Sequence, residues 1–414
     1  MSFFSERNGA LHAEDVPLSR IAGEFGTPCY VYSRAALTDA FQRYDRAFDS
    51  RPHLICYAVK ANSNLAILNL FARLGSGFDI VSGGELARVI AAGGDPGKIV
   101  FSGVGKTERE MRDALAAGIL CFNVESESEL LRLEGIAGET GRRAPVSLRV
   151  NTDVDARTHP YISTGLKQNK FGVAFPDAMR LYRLAHSSRH LRVVGIGCHI
   201  GSQLIDMEPI ADAVRKVLKL ADRLVAEGIE IEHLDLGGGL GIRYANEVPP
   251  TQDAWVKALL DAVGERPQPV FVEPGRSLVG PAGLLLTRVE YLKHGEARNF
   301  AVVDAAMNDL IRPALYDAWH AVREVDGSGA AATVYDVVGP VCESGDFLAH
   351  DRELAIDEGG LLAIMAAGAY GMSMSSNYNA RPRAAEVMVD GGRIHLIRER
   401  EQIKDLYAGE QLLP

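Results

Sequence analysis

From about residue 53 to residue 276, short apolar runs rich in β-branched and aromatic residues alternate with longer segments whose apolar positions recur at helical spacing. The apolar runs are Leu54–Val59, Phe78–Val81, Ile99–Phe101, Leu120–Val124, Val146–Val150, Val193–Cys198, His233–Leu236 and Pro269–Val272. This order of strand, loop and helix predicts parallel β-α units. Eight such units in about 230 residues have the size of a (β/α)8 barrel, so the sequence predicts an α/β fold.

Start and stop signals of helices agree with this periodicity. Three capping boxes are predicted at Ser82-x-x-Glu85, Thr107-x-x-Glu110 and Ser126-x-x-Glu129. Glycines stand where helices are expected to end, at Gly75, Gly93, Gly118 and Gly228.

The rest of the chain has shorter strands and turns and predicts a mostly antiparallel β-domain. Its expected strands are Leu284–Leu292, Phe300–Val303, Thr333–Val338 and the hairpin Val387–Leu396 with its Asp-Gly-Gly turn. A further strand at Cys29–Tyr32 is expected to join this sheet. We therefore expect a barrel over residues 34–280 and a β-domain made of residues 1–33 and 281–414.

Composition and charge narrow the class of protein. Acidic residues outnumber basic ones, 54 to 44, so a net charge of -10 disfavours nucleic acid and anionic membranes as partners. No apolar run approaches the roughly 18 residues that a membrane span needs. The five cysteines lack C-x-x-C spacing, which suggests neither disulfides nor a metal site and favours the cytoplasm.

The ends of the predicted barrel strands carry candidate chemistry, because barrel active sites lie at the carboxyl ends of the strands. Lys60 follows the first strand and His199 the sixth, while Gly237-Gly238-Gly239-Leu240-Gly241 follows the seventh and Glu273-Pro274-Gly275-Arg276 the eighth. A desolvated lysine can form a Schiff base with an aldehyde. Taken alone, a residue such as Lys60 is far more often an exposed lysine, and one such as His199 is more often a core histidine. Glu273 alone could equally form a salt bridge with Arg276.

Together these residues describe a site for pyridoxal 5'-phosphate. An imidazole at His199 can lie against a planar ring, and glycine-rich loops after the last two strands commonly bind phosphate. A carboxylate at Glu273 can keep the ring nitrogen protonated, which makes the ring an electron sink. The exposed polar turn around Cys342 suits a reactive thiol, whereas the other four cysteines are expected in the core.

Ordered along almost the whole chain, several motifs resemble the fold-type III pyridoxal-phosphate-dependent decarboxylases, and among them those acting on meso-diaminopimelate. The motifs are Tyr57–Asn62, Phe78–Glu85, His159–Gly165, Asn169–Gly172, His199–Gln203, Glu273–Arg276, Arg312–Tyr316, Cys342–Asp346 and Ala369–Met374. The resemblance implies a barrel of the alanine-racemase-like type. It also implies that Lys60 carries the cofactor and that Ser202, Gly238, Gly239, Gly275, Arg276 and Tyr370 lie at the cofactor or substrate.

The resemblance further implies a homodimer with shared active sites, in which the other subunit contributes the proton donor Cys342 together with Glu343. Arg276, Arg312 and Tyr316 suit the distal carboxylate of the substrate, and Glu343 its distal ammonium. The expected reaction is decarboxylation of meso-2,6-diaminopimelate at its D-centre to L-lysine and CO2. The alternatives are an amino-acid racemase, a decarboxylase of ornithine, arginine or carboxynorspermidine, and a non-catalytic pyridoxal-phosphate-binding homologue.

Overall fold

A computed structural model describes residues 3–154 and 169–414. The chain divides into two compact units. One, called here the barrel unit, contains Ala40–Ile242 and Glu247–Ser277. The other, called the β unit, contains the chain up to Asp39, the short segment Arg243–Asn246 and Leu278–Pro414.

The first described residues belong to the β unit and form a small antiparallel sheet, a helix and a further strand. These elements are β1 Phe4–Arg7, β2 Ala10–Ala13, β3 Val16–Pro17, α1 Leu18–Phe25 and β4 Cys29–Ser33. Helix α2 (Arg34–Phe48) follows β4 directly.

The barrel unit is built on a closed ring of eight parallel strands. The strands are β5 His53–Ala58, β6 Gly77–Ile80, β7 Ile99–Phe101, β8 Cys121–Val124, β9 Ala144–Asn151, β11 Leu191–Gly197, β12 His233–Asp235 and β13 Val270–Val272, and β10 Val173–Ala174 adds a short pairing to β9. Each strand pairs with the next, and β13 closes the ring on β5 through Val270 opposite His53. The predicted eight-stranded barrel is confirmed, and the first and last residues of every strand lie within two residues of their predicted positions.

Helices connect the barrel strands. They are α3 Leu65–Arg73, α4 Gly83–Ala91, α5 Glu108–Ala117, α6 Glu127–Glu139, α7 Phe175–Ser187, α8 Glu208–Ala226, α9 Gln252–Val263 and, after β13, the short α10 Arg276–Val279. Across the described parts of the chain, no helix combines the length and apolar character needed to cross a membrane.

The predicted helix caps form, with one difference in detail. Ser82, Thr107 and Ser126 each accept a hydrogen bond from the backbone N–H three residues later. Only at Thr107, among these three, does the glutamate side chain return to the cap residue itself. Glu85 and Glu129 accept instead from the N–H one residue further upstream, at Val81 and Glu125. The glycines predicted at helix ends, Gly75, Gly93, Gly118 and Gly228, all have positive φ.

Apolar side chains fill one level of the barrel interior. Cys56, Val100, Cys121, Val194 and Phe271 come from five different strands of the ring and pack into one cluster. Residues from so many strands of a closed ring meet only inside it. Because this level is packed with side chains, a ligand site is left for the carboxyl ends of the strands.

The β unit is mostly antiparallel sheet, as predicted. Its remaining elements are β14 Gly283–Lys293, β15 Phe300–Val303, α11 Arg312–Tyr316, β16 Val322–Glu324, β17 Thr333–Val338, β18 Phe347–Leu354, β19 Leu361–Ile364, β20 Ala385–Asp390 and β21 Arg393–Arg398. The sheet order is β18-β17-β15-β14-β4-β20-β21, and β19 pairs with both β14 and β16. Strand β4 runs antiparallel to β14 and parallel to β20.

Candidate active site

Lys60 stands in a single 3-10 turn directly after β5. Its Nζ donates a hydrogen bond of 2.7 Å to Oδ2 of Asp79, which lies within β6. The Asp79 side chain is fully buried, while that of Lys60 is 37% exposed. The second carboxylate oxygen of Asp79, Oδ1, is buried and has no hydrogen-bond partner among the described residues. The amine of Lys60 therefore lies at the mouth of the barrel, bound to a carboxylate that can accept a further hydrogen bond.

His199 follows β11 and is held through one ring nitrogen. Its Nδ1 accepts a hydrogen bond of 3.2 Å from the backbone N–H of Gly238 and lies 3.9 Å from Oε2 of Glu273. Burial, helped by the positive charges of Arg149 and Lys60, lowers the pKa of His199 well below its ordinary value. The imidazole is therefore neutral, and its hydrogen resides on Nε2.

Glu273 follows β13. The side-chain amide of Asn123 lies between the carboxyl group of Glu273 and that of Asp235. Asn123 Nδ2 lies 3.1 Å from Asp235 Oδ2 and 3.4 Å from Glu273 Oε1. Burial raises the pKa of Asp235 to about 6. Burial, followed by the charges of Asp235 and Asp79, also raises the pKa of Glu273 well above its ordinary value. Two carboxyl groups this close in a buried site disfavour double ionisation.

Arg149 forms another wall of the site. Its guanidinium donates to both carboxylate oxygens of Glu125 and to the carbonyl oxygen of His199, and its Cζ lies 4.9 Å from the centre of the Phe171 ring. The Glu125 carboxylate also accepts from the backbone N–H groups of Gly103 and Gly172. Arg149 is thus fixed by an ion pair, a carbonyl and a ring face.

These groups surround one cavity of about 620 Å³ in the barrel unit. Lys60, His199 and Glu273, predicted from three separate strand ends, all line it, and Asp235, Asn123 and Arg149 line it with them. Its volume lies in the range of small-molecule sites. Sequence reasoning did not single out Asp235 or Arg149 because both lie inside strands. The signal that was available is a charged residue within an otherwise apolar run.

The glycine run after β12 is required by close packing. A Cβ on Gly238 would lie 2.1 Å from the carbonyl oxygen of Glu273, and one on Gly239, at φ +110°, would lie 2.5 Å from that of Gly201. The Gly237 N–H donates to Asp235 Oδ1 as the Gly238 N–H does to His199. These two amides therefore orient the side chains of Asp235 and His199.

The remaining predicted residues of the barrel unit lie around the same strand ends. Arg276 is buried, and both Nε and Nη2 of its guanidinium lie 3.2 Å from the Ser202 hydroxyl. A Cβ on Gly275 would lie 3.1 Å from the Cβ atoms of Ala58 and Ala61. Gly275 thus lets the chain after β13 pass close to the turn that carries Lys60.

The other predicted site residues belong to the β unit. Arg312 and Tyr316 begin and end α11, and Tyr370 has a positive φ of 54°. Cys342 is exposed and its backbone N–H donates to Asn379 Oδ1, whereas the other four cysteines are buried, as predicted. Glu343 Oε2 accepts a hydrogen bond of 3.1 Å from the Tyr378 hydroxyl, a pairing that the sequence did not indicate.

One predicted motif, His159–Gly165, lies outside the described residues. The neighbouring motif Asn169–Gly172 is described, and its Phe171 contributes the ring under Arg149.

Comparison with known proteins identifies the class. Residues 34–280 match the family described as pyridoxal-dependent decarboxylase, pyridoxal binding domain. This match covers more than half of the chain, which therefore belongs to the pyridoxal-dependent decarboxylases.

Four similar proteins within that class share one activity in their names. The chain is 60% identical to a diaminopimelate decarboxylase of Pseudomonas aeruginosa and 58% identical to one of Vibrio cholerae, over the full length of both chains in each case. Its structure is similar to that of diaminopimelate decarboxylase of Helicobacter pylori in complex with L-lysine, with a TM-score of 0.92 and 45% identity over 94% of this chain and 98% of that one. It is also similar to the enzyme of M. jannaschii with L-lysine, with a TM-score of 0.95 and 40% identity over 99% and 98% of the two chains.

The residues of the cavity fit the family's cofactor, pyridoxal 5'-phosphate. Three buried carboxyl groups, on Asp79, Asp235 and Glu273, stand near the single amine of Lys60. One oxygen of Asp79 lacks a partner among the described residues, and Asp235 and Glu273 resist ionising together. This surplus of acceptors suits a ligand that brings a positive charge, as a protonated pyridine nitrogen does.

Proposed function

We propose that this protein releases CO2 from the D-centre of meso-2,6-diaminopimelate and leaves L-lysine. The observation that carries the proposal is the convergence of Lys60, His199 and Glu273 on one cavity of a pyridoxal-dependent decarboxylase. The names of the similar proteins, and the L-lysine in two of the similar structures, support this substrate.

In this proposal, pyridoxal phosphate supplies the electron sink for the pair of electrons left when the carbon–carboxylate bond breaks. Lys60 would hold the cofactor through its amine, and Asp79, which accepts a hydrogen bond of 2.7 Å from that amine, would hold the Lys60 ammonium when the substrate amine takes its place. Glu273 would hold the proton of the ring nitrogen, and His199 would present a neutral ring face to the cofactor. Neutrality matters because a charged imidazole would oppose the positive ring nitrogen.

The cofactor phosphate and the substrate carboxylates require fixed cations. We infer that Ser202, Gly238, Gly239, Gly275 and Arg276 lie along the phosphate and the near end of the substrate. Tyr370 is assigned to the cofactor and substrate. Arg276, Arg312 and Tyr316 are assigned to the distal carboxylate, and Glu343 to the distal ammonium. Arginine suits these positions because its planar guanidinium matches a carboxylate.

The proton that replaces the carboxylate is assigned to the thiol of Cys342 in the partner subunit. This assignment requires a head-to-tail homodimer in which each subunit also contributes Glu343 to the other's site. Its support is that Cys342 is exposed, as a thiol that reaches outside its own subunit must be.

We place the domain limits at residues 34–280 and at 1–33 with 281–414. We also place the protein in the cytoplasm, where free thiols persist.

Release of CO2 with and without added pyridoxal phosphate tests cofactor, reaction and substrate together. We expect release from meso-diaminopimelate, and much less from ornithine or arginine. Lys60→Ala should lose both CO2 release and the visible absorbance of the lysine-bound cofactor. Lys257→Ala, at a lysine that is 74% exposed in α9, is the matched control and should keep both.

Two results would count against the proposal in different ways. Retention of turnover and absorbance by Lys60→Ala would overturn the assignment of the lysine. A preference of the unmodified protein for ornithine over diaminopimelate would leave the decarboxylase chemistry intact and overturn the substrate.

A further inference from the structure

Within the β unit, the guanidinium of Arg312 is held on two sides. Its Cζ lies 4.7 Å from the centre of the Tyr244 ring, and its Nη1 lies 2.9 Å from Nε2 of His320. Arg312 is only 6% exposed. Tyr244 lies in Arg243–Asn246, the short segment that groups with the β unit, so all three side chains belong to the same unit.

His320 is itself fixed in one orientation and one tautomer. Its side chain is completely buried, and Nδ1 lies 2.8 Å from the carbonyl oxygen of Met365, the residue after β19. A carbonyl oxygen only accepts, so Nδ1 carries the hydrogen. Nε2 is then the lone-pair nitrogen that accepts from Arg312. The Tyr244 and His320 rings meet edge to face, with centroids 5.1 Å apart and planes at 75°.

The contact is therefore directional and adds no charge. A carboxylate in the place of His320 would orient Arg312 equally well but would also neutralise its positive charge. A neutral imidazole orients the guanidinium and contributes no negative charge to it. The chain Met365, His320, Arg312 connects the end of β19 to the first residue of α11.

We propose that His320 is a positioning residue that sets the Arg312 guanidinium for the distal carboxylate of the substrate. This inference rests on the proposed function, which assigns that carboxylate to Arg312. The His320 ring touches no substrate in this proposal; it acts only through the orientation of Arg312.

Two substitutions of His320 separate its two hydrogen bonds. In His320→Gln the side-chain amide reaches the position of Nε2, so an acceptor for Arg312 is kept. In His320→Asn the shorter amide reaches only the position of Nδ1, so the donor to Met365 is kept and the acceptor for Arg312 is lost. His320→Gln thus keeps the contact with Arg312 and His320→Asn keeps the contact with Met365. Thermal unfolding checks that both variants are folded.

Two ligands that differ at the distal carboxylate provide the readout. L-lysine has this carboxylate, and 1,5-diaminopentane is the same diamine without it. Inhibition constants for both are measured against diaminopimelate decarboxylation, and calorimetric titration of L-lysine gives its affinity directly. For His320→Asn we expect the inhibition constant of L-lysine and the KM of diaminopimelate to rise about tenfold, with kcat changed less than about twofold. The inhibition constant of 1,5-diaminopentane should not change, and His320→Gln should resemble the unmodified protein in every measurement.

The proposal is overturned if His320→Asn weakens both ligands equally, if it weakens neither, or if His320→Gln behaves like His320→Asn. Arg312→Met separates this failure from a failure of the proposed function. If Arg312→Met changes the inhibition constants of L-lysine and 1,5-diaminopentane equally, or changes neither, the assignment of Arg312 to the carboxylate is wrong. If Arg312→Met weakens L-lysine alone and His320→Asn does not, only the role of His320 is lost.

Discussion

We expect Asp235→Asn to make the cofactor-free protein more stable at pH 8 and slightly less stable at pH 4. Asp235 is 2% exposed, and burial raises its pKa from 3.8 to about 6. Between these values the unfolded chain has already released the proton that the folded protein still binds. Raising the pH through this interval therefore lowers the free energy of unfolding, and an amide at position 235 removes that loss.

The magnitude follows from two opposing effects. A pKa raised by about two units costs about 3 kcal/mol of folding free energy once the pH exceeds both values. Asp235 also accepts hydrogen bonds from Gly237 N–H and Asn123 Nδ2, and an asparagine has only one oxygen for these two donors. Losing one such bond costs about 1 kcal/mol. The variant should therefore gain about 2 kcal/mol at pH 8 and lose about 1 kcal/mol at pH 4.

Urea unfolding followed by tryptophan fluorescence measures this difference in the barrel. The chain has two tryptophans, and Trp255 is completely buried in α9 of the barrel unit. A Trp319→Phe background leaves Trp255 as the single reporter. Protein concentration is held constant because subunit association would shift the midpoint. Asp261→Asn, at a side chain that is 65% exposed, is the control and should change stability by less than about 0.5 kcal/mol at either pH.

The reasoning is refuted if Asp235→Asn shifts stability by the same amount at pH 4 and pH 8, or if it destabilises the protein more at the higher pH. Addition of pyridoxal phosphate provides a second check. In the proposed function a positive ring nitrogen would lie near Glu273 and offset the carboxylate charges, so the advantage of the variant at pH 8 should shrink when the cofactor is bound.

Two further predictions concern a buried charged lysine, Lys106, and a buried neutral histidine, His233. Lys106 is fully buried and donates to Glu129 and to the carbonyl oxygens of Gly103 and Asn123. Lys106→Met should therefore lower the free energy of unfolding in urea by about 3 to 5 kcal/mol. The double variant Lys106→Met/Glu129→Gln should lose less than Lys106→Met alone. An equal or larger loss in the double variant would show that the unpaired carboxylate of Glu129 is not what destabilises Lys106→Met. Burial lowers the pKa of His233 to about 3, so the unfolded chain takes up a proton first and stability falls as the pH drops from about 6.5 towards 3. In His233→Phe the melting temperature should fall less between pH 7 and pH 4 than in the unmodified protein. An unchanged pH dependence would show that other groups cause the loss of stability in acid.

The barrel could be predicted from sequence because its evidence is local. Each apolar run and the helix after it form one β-α unit, and the eight predicted runs became the eight strands of the ring. Details that depend on a choice between neighbouring atoms could not be predicted. Glu85 and Glu129 have the spacing of capping boxes, yet each bonds to the N–H one residue before the cap residue.

The candidate site divides in the same way. Lys60, His199 and Glu273 were identified because the barrel rule directs attention to strand ends, and they line one cavity. Asp235 and Arg149 were missed because they lie within strands, where apolar residues dominate the pattern. A charged residue in such a run is the clue that sequence reasoning can use in this family of folds.

The sequence by itself determined the order of strands and helices, the eight-fold repeat and the strand ends that carry reactive side chains, because hydrophobic periodicity and turn signals act over a few residues. Only the tertiary structure decided that Asn123 joins Asp235 to Glu273, and that Tyr244 and His320 enclose Arg312. Periodicity shows which way a side chain points, but hydrogen bonding depends on distances of about 3 Å. Those distances exist only after distant segments have packed together.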